Sequence, residues 1–169
     1  MLPLKDDVPS RTFPLVTVAL IALNAAVFLY QASLAMGPEP GAGRAAQAFV
    51  AEFGVTPCRL TGRCPLVDEF PSPAVTVFTA MFLHGGLFHI AGNMLYLWIF
   101  GNNVEDALGH GRFLVFYLLS GVAAAGLQTL AAPQSSIPMI GASGAISGVL
   151  GAYLILFPYA RVLVLLVFG

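Results

Sequence analysis

The stretch FLVFYLLSGVAAAGLQTLAAPQSSIPMIGASGAISGVLGAYLILFPYA, residues 113–160, runs for 48 positions without an Asp, Glu, Lys or Arg. A helix needs about 20 apolar residues to cross the hydrocarbon core of a bilayer, so this run has room for two. Pro133-Gln134-Ser135-Ser136-Ile137-Pro138 divides it, as a turn at the surface would. Two further uncharged runs precede it, Thr12–Pro38 and Phe70–Val104. The first holds one helix, and the second holds one helix with a lead-in. Only helices and closed barrels satisfy their backbone polar groups in lipid. These runs are too long and too continuously apolar for the alternating strands of a barrel. The expected fold class is therefore all-α, a polytopic helical membrane protein.

Composition points the same way. Of the 169 residues, 58% are hydrophobic and 9% charged, with seven Lys+Arg against eight Asp+Glu. The mean hydropathy is +0.87. An average soluble domain carries about 25% charged residues. These values exclude a soluble globular protein and a disordered chain. They also exclude a nucleic-acid partner, which requires a basic face.

Working outward, four complete transmembrane helices are expected, at about 14–36, 87–103, 112–131 and 142–157, with a fifth starting near Arg161. The apolar residues Val162–Phe168 are too few to span, so the chain reads as a fragment cut inside that fifth helix. The first run is longer than the 7–15 residues of a signal-peptide core and lacks a net positive flank. It is read as a retained helix. Residues 1–13 form a polar tail, and 14–169 an incomplete membrane domain. The loop 37–72 holds seven of the fifteen charges, and a short helix over Arg44–Phe53 is expected at the interface.

Alternation of the helices puts the amino terminus, the 102–112 turn and the 158–161 turn on one side. That side carries Lys5, Arg11, Arg112 and Arg161; the other carries Arg44, Arg59 and Arg63. The positive-inside rule then places the tail in the cytoplasm and the loop 37–72 outside. Cys58 and Cys64 lie in that loop, paired in an oxidising compartment or two free thiols otherwise. A Cys-x5-Cys pair without other thiols is poor material for zinc.

Polar side chains at membrane depth are costly and so are candidates for function. His89 and Asn93 are four apart and share a helix face, and both side chains donate hydrogen bonds. His84 precedes them beside Gly85-Gly86, at the mouth of the helix. A third metal ligand is missing and there is no His-Glu-x-x-His pattern, so no metal is expected. Gly141, Gly144, Gly148 and Gly151 are spaced three, four and three, which lets another helix approach closely. Packing explains the glycines without explaining Ser143, which sits at a helix amino terminus where a free N–H suits an oxyanion. A cap or packing role is the plain alternative for Ser143, and it is the preferred role for Ser147. Gln128 has no polar company and is read as a packing or interface residue.

These residues resemble a known family. Gly141-Ala142-Ser143-Gly144 resembles the Gly-x-Ser-Gly motif of the rhomboid intramembrane serine proteases. The run from His84 through His89 to Asn93 resembles their second-helix histidine and asparagine motif, and Gly101 to Gly109, with Glu105, resembles the end of that helix. The likeness covers about residues 75–160. It implies a rhomboid-like fold and a serine endopeptidase that cuts transmembrane substrates near a membrane boundary, without metal or cofactor. It implies Ser143 as nucleophile, His89, Asn93 and the Ser143 N–H as oxyanion hole, and His84 in support. The partners implied are transmembrane protein substrates and the lipid bilayer, and the setting is the bacterial inner membrane.

Two features depart from the pattern. The family's first long loop often carries a Trp-Arg pair, whereas the single tryptophan here is Trp98. The family's general base is a histidine in a sixth helix, and the remaining histidine here, His110, lies on the cytoplasmic side. The 169-residue piece alone is therefore expected to be inactive. The competing reading is a non-catalytic rhomboid-like protein that binds transmembrane helices. A transporter is disfavoured because residues 113–160 offer no charge for ion coupling.

Overall fold

A computed structural model describes residues 2–36, 42–64 and 71–165. It is mostly helical. A strand β1 (Leu2–Asp6) leads into the long helix α1 (Leu15–Ala35), then α2 (Ala42–Phe53) and the single turn α3 (Pro57–Leu60). Helix α4 (Pro73–Thr79) ends in a tight turn, Ala80–Phe82. After a break come α5 (Leu87–Tyr96), a π turn (Leu97–Gly101) and α6 (Asn102–Leu108). Helices α7 (His110–Ala131) and α8 (Ser143–Leu156) follow, and β2 (Val162–Leu165) pairs antiparallel with β1.

Helices α1 and α7 are each long and apolar enough to cross a membrane. The α4 segment and the α5–α6 segment together make a third candidate span, bent by 83° at the break. Helix α8 is apolar but only 14 residues long, about 21 Å at 1.5 Å per residue. The helix expected over 87–103 runs on to Leu108. Asn102 and Asn103 do not break it, because the Asn103 side chain bonds back to the Ile99 carbonyl and across to Asp6. Gly109, at φ +81°, makes the turn into α7. The expected interfacial helix over Arg44–Phe53 is present as α2.

One expectation is corrected. Of the residues assigned to the start of a fifth helix, Val162–Leu165 are extended instead, and the rest lie outside the described residues. Val162 and Val164 are β-branched and suit a strand, and the amino-terminal tail supplies the partner that their backbone groups require. The same tail, expected to be only polar, is thereby ordered: the Asp7 N–H donates to the Arg161 carbonyl at 3.1 Å, and the Asp7 carboxylate accepts the Arg161 N–H at 2.8 Å.

The alternation of the helices is borne out by contacts at this end. Asp6 meets Asn103 and accepts from the Tyr153 hydroxyl at 2.7 Å. Asp106 accepts the backbone N–H groups of Arg11 and Thr12. The neighbouring Glu105 carboxylate accepts those of Val16 and Thr17 at 2.8 and 2.7 Å, covering the free amino end of α1. The tail, the 102–112 turn and the 158–161 turn therefore lie on one side.

The core joins α1, α6, α7 and α8 around Leu97, Val104, Phe113, Tyr117 and Val149, all wholly buried. Helices α7 and α8 approach closely. A Cβ on Gly144 would stand 2.6 Å from the Ala124 methyl, and one on Gly148 would run into Ser120. The glycine stripe is thus half used, since Gly151 faces open space and Gly141 lies before the helix.

Candidate active site

Ser143 is the first residue of α8. The first hydrogen bond of that helix runs from the Ile146 N–H to the Ala142 carbonyl, so the N–H groups of the first turn, Ser143 included, have no partner within the helix. The loop that delivers it is tied down by backbone bonds at three points. Cys58 N–H donates to the Ser135 carbonyl, Val55 and Met139 exchange both backbone bonds, and Gly141 N–H donates to the Ala80 carbonyl at 2.8 Å. The first of these anchors sits in a loop closed by a Cys58–Cys64 disulfide, with the Cα atoms 5.2 Å apart. The structure thus pairs the two cysteines whose state the sequence left open.

Gly141 has φ +117°, a conformation that favours glycine. It also admits its neighbours. A Cβ there would lie 2.8 Å from His89 Nε2 and 3.8 Å from Asn93 Nδ2. Both donors of α5 therefore converge on the backbone just before Ser143. Their orientations are set differently. His89 Nδ1 accepts the Gly85 N–H at 3.2 Å, which leaves the ring proton on Nε2, the atom beside Gly141. Asn93 is buried, and its Nδ2 has no hydrogen-bond partner. A buried donor left unpaired costs about 1–3 kcal/mol, and this amide is free to meet an acceptor.

Phe88, His89, Asn93, Tyr96, Ser143 and Ser147 share one cavity of about 360 Å³. The four residues expected to form the site, Ser143, His89, Asn93 and His84, are brought together at one end of the molecule. His84 is not at an open mouth as its place beside Gly85-Gly86 suggested. It is wholly buried, with its ring 5.0 Å from that of His89 at 69°. Ser147 donates to the Ser143 carbonyl at 2.8 Å, a local helix bond consistent with its expected structural role. Gln128 is exposed on α7 and so does not pack inside the chain. Among the described residues no three His, Cys, Asp or Glu side chains are grouped to hold a metal.

His110 bonds to Glu105 at the opposite end of the bundle. Among the described residues nothing accepts a proton from the Ser143 hydroxyl, so this serine is placed without a base.

One residue escaped the sequence reading. Gln31 on α1 is buried, and its side-chain amide donates to the His84 carbonyl at 2.8 Å while accepting the His84 N–H at 3.3 Å. The signal was available: Thr17, Asn24 and Gln31 are seven apart, on one stripe of an otherwise apolar helix, and all three are buried.

The Rhomboid domain family model matches residues 71–169. The chain belongs to the rhomboid family. Mitochondrial rhomboid protein 1 of Saccharomyces cerevisiae is 34% identical over 103 residues, which are 58% of this chain and 30% of that protein. Rhomboid protease GluP of Bacillus subtilis is 44% identical over 78 residues, 46% of this chain and 15% of that protein. RHOMBOID-like protein 6 of Arabidopsis thaliana, a mitochondrial protein, is 42% identical over 78 residues, 46% of this chain and 25% of its own length. The chain thus spans less than a third of each of these relatives. The rhomboid segment contains α4 to β2, and so every one of the four expected site residues. Its family and its apolar helices make this an integral membrane protein.

Proposed function

We propose that this rhomboid segment carries the nucleophile and oxyanion hole of an intramembrane serine endopeptidase acting on transmembrane substrates. The observation that carries the reading is the unpaired Asn93 amide beside His89 Nε2, both close to the turn that ends in Ser143. Ser143 Oγ attacks the scissile carbonyl carbon and gives its proton to a base. The carbonyl oxygen, now negative, receives hydrogen bonds from His89 Nε2, Asn93 Nδ2 and the Ser143 N–H. Collapse expels the amine, which takes the proton from the base, and water releases the acyl group from Ser143.

The base comes from outside these 169 residues, as the greater length of the relatives allows. Depth follows from helix length. With the carboxyl end of α8 anchored near Asp6 by Tyr153, a helix of about 21 Å in a hydrocarbon core of about 30 Å leaves Ser143 below the opposite surface. That surface is the outward one if the tail lies in the cytoplasm of a bacterial inner membrane.

The test uses the full-length protein in lipid vesicles. A fluorophosphonate probe is expected to label Ser143, and a transmembrane reporter is expected to be cut; Ser143→Ala should abolish both. Residues 1–169 alone should cut nothing. Absence of labelling in the full-length protein would move the reading to a rhomboid-like protein that binds transmembrane helices without cleaving them. That reading draws on the lack of a base near Ser143.

A further inference from the structure

The break between the Ala80–Phe82 turn and α5 consists of Leu83, His84, Gly85 and Gly86. Two consecutive glycines leave the second half of this segment without side chains to fix its path. Its backbone is held instead from outside. Leu83 N–H bonds to the Ala80 carbonyl, and the Gly86 carbonyl accepts from Ile90. Between them His84 is gripped on both its N–H and its carbonyl by a single side chain, Gln31, from a helix 53 residues earlier. The next N–H along the chain, that of Gly85, is the one that bonds His89 Nδ1.

The geometry points to Gln31 as a positioning residue that sets the tautomer and aim of His89 through the His84–Gly85 backbone. The inference rests on the function proposed above and deepens it. The amide of Gln31 acts as a substitute peptide group. One N–H and one oxygen fit one carbonyl and one N–H, which fixes the rotation of the His84 backbone. With His84 fixed, Gly85 N–H points at His89 Nδ1, and the ring proton must then sit on Nε2, beside Gly141. Without that anchor the two glycines are free to turn, Nδ1 loses its donor, and either nitrogen of His89 can carry the proton. A ring protonated on Nδ1 presents a lone pair to the developing oxyanion and repels it. The buried His84 ring packs against His89 with ring centroids 5.0 Å apart and makes no hydrogen bond to it, so it does not fix the His89 proton.

The experiment is done on the full-length protein labelled with nitrogen-15 histidine, with His89 assigned by comparison with His89→Gln. The wild type should show the Nε2–H tautomer of His89. Gln31→Met, close in length and apolar, should show a mixture of the two tautomers. Its kcat should fall about 10- to 100-fold, the usual scale for losing the group that orients a catalytic side chain, with little change in KM. Gln31→Glu keeps the shape and the accepting oxygen and, when ionised, loses the donor. It serves if the methionine variant does not fold, and the same two changes are expected of it. A folded variant that keeps both the wild-type tautomer and the wild-type kcat would overturn the proposal. A fall in kcat with the tautomer unchanged would also overturn it, leaving Gln31 a purely structural residue. The tautomer readout needs no turnover, so it decides the role of Gln31 even if Ser143 is not a nucleophile.

Discussion

At the residue scale, the two side-chain donors of the site are held by opposite means. His89 is oriented by a bond on its far nitrogen, whereas Asn93 is oriented by burial alone, with its Nδ2 unpaired. A donor that is unpaired at rest and bonded in the tetrahedral state contributes to kcat in preference to substrate binding. Asn93→Ala should therefore lower kcat by about 10²–10³-fold, as loss of an oxyanion donor does elsewhere, and leave KM nearly unchanged. Steady-state kinetics on the full-length protein reads both. Gly141→Ala tests the neighbouring backbone. Its methyl would sit 2.8 Å from His89 Nε2 at a φ that L side chains rarely adopt. Hydrolysis of the reporter should fall sharply, and Ser143 should react more slowly with the fluorophosphonate.

At the element scale, the helices are positioned by polar groups at their ends and small groups along their sides. Glu105 is the main end clamp. Its side chain is wholly buried and takes two N–H groups from the first turn of α1, along with His110. Glu105→Ala leaves both N–H groups without that partner. It should cost about 3–6 kcal/mol, since bonds to a charged acceptor are worth about 1.5–3 kcal/mol each. A fall in the thermal midpoint of the purified protein in micelles would show it. Because α1 also carries Gln31, that variant should lose some activity even under conditions where it remains folded. The glycines of α8 do the other half of this work. Gly144 and Gly148 admit α7 at Ala124 and Ser120, which fixes the height of Ser143 against the rest of the bundle.

At the scale of the whole molecule, polar groups gather at two ends. One end holds Asp6, Asp7, Glu105, Asp106 and Arg161, and the other holds the site and the disulfide loop. Single cysteines replacing Lys5, Arg112 and Arg161 in a Cys58→Ser, Cys64→Ser background should all be labelled by an impermeant thiol reagent from the same side. A cysteine replacing Arg59 should be labelled from the other side. If the positive-inside reading holds, the first three are protected in intact cells and the fourth is not. Labelling of Lys5 and Arg112 positions from opposite sides would break the topology.

What the sequence determined by itself is whatever depends on local pattern. Lengths of uncharged chain set the number and approximate limits of the apolar helices, because lipid imposes one minimum length. The prolines of 133–138 marked the turn before α8, and His89 with Asn93 were legible as one face because four residues make a turn. Ser143 stood out because glycine spacing alone did not account for it. The tertiary structure decided what depends on contacts distant in sequence. Val162–Leu165 became a strand because Leu2–Asp6 lay alongside, 150 or more residues away in the chain. The α5–α6 helix passed through Asn102 and Asn103 because Asp6 and the Ile99 carbonyl took the amide N–H groups of Asn103, a residue that otherwise ends helices. Gln31 was one more polar residue until its amide was seen on both backbone groups of His84. Hydrogen bonds across such separations leave no periodicity in the chain, since their energy depends on a geometry that only the packed helices create.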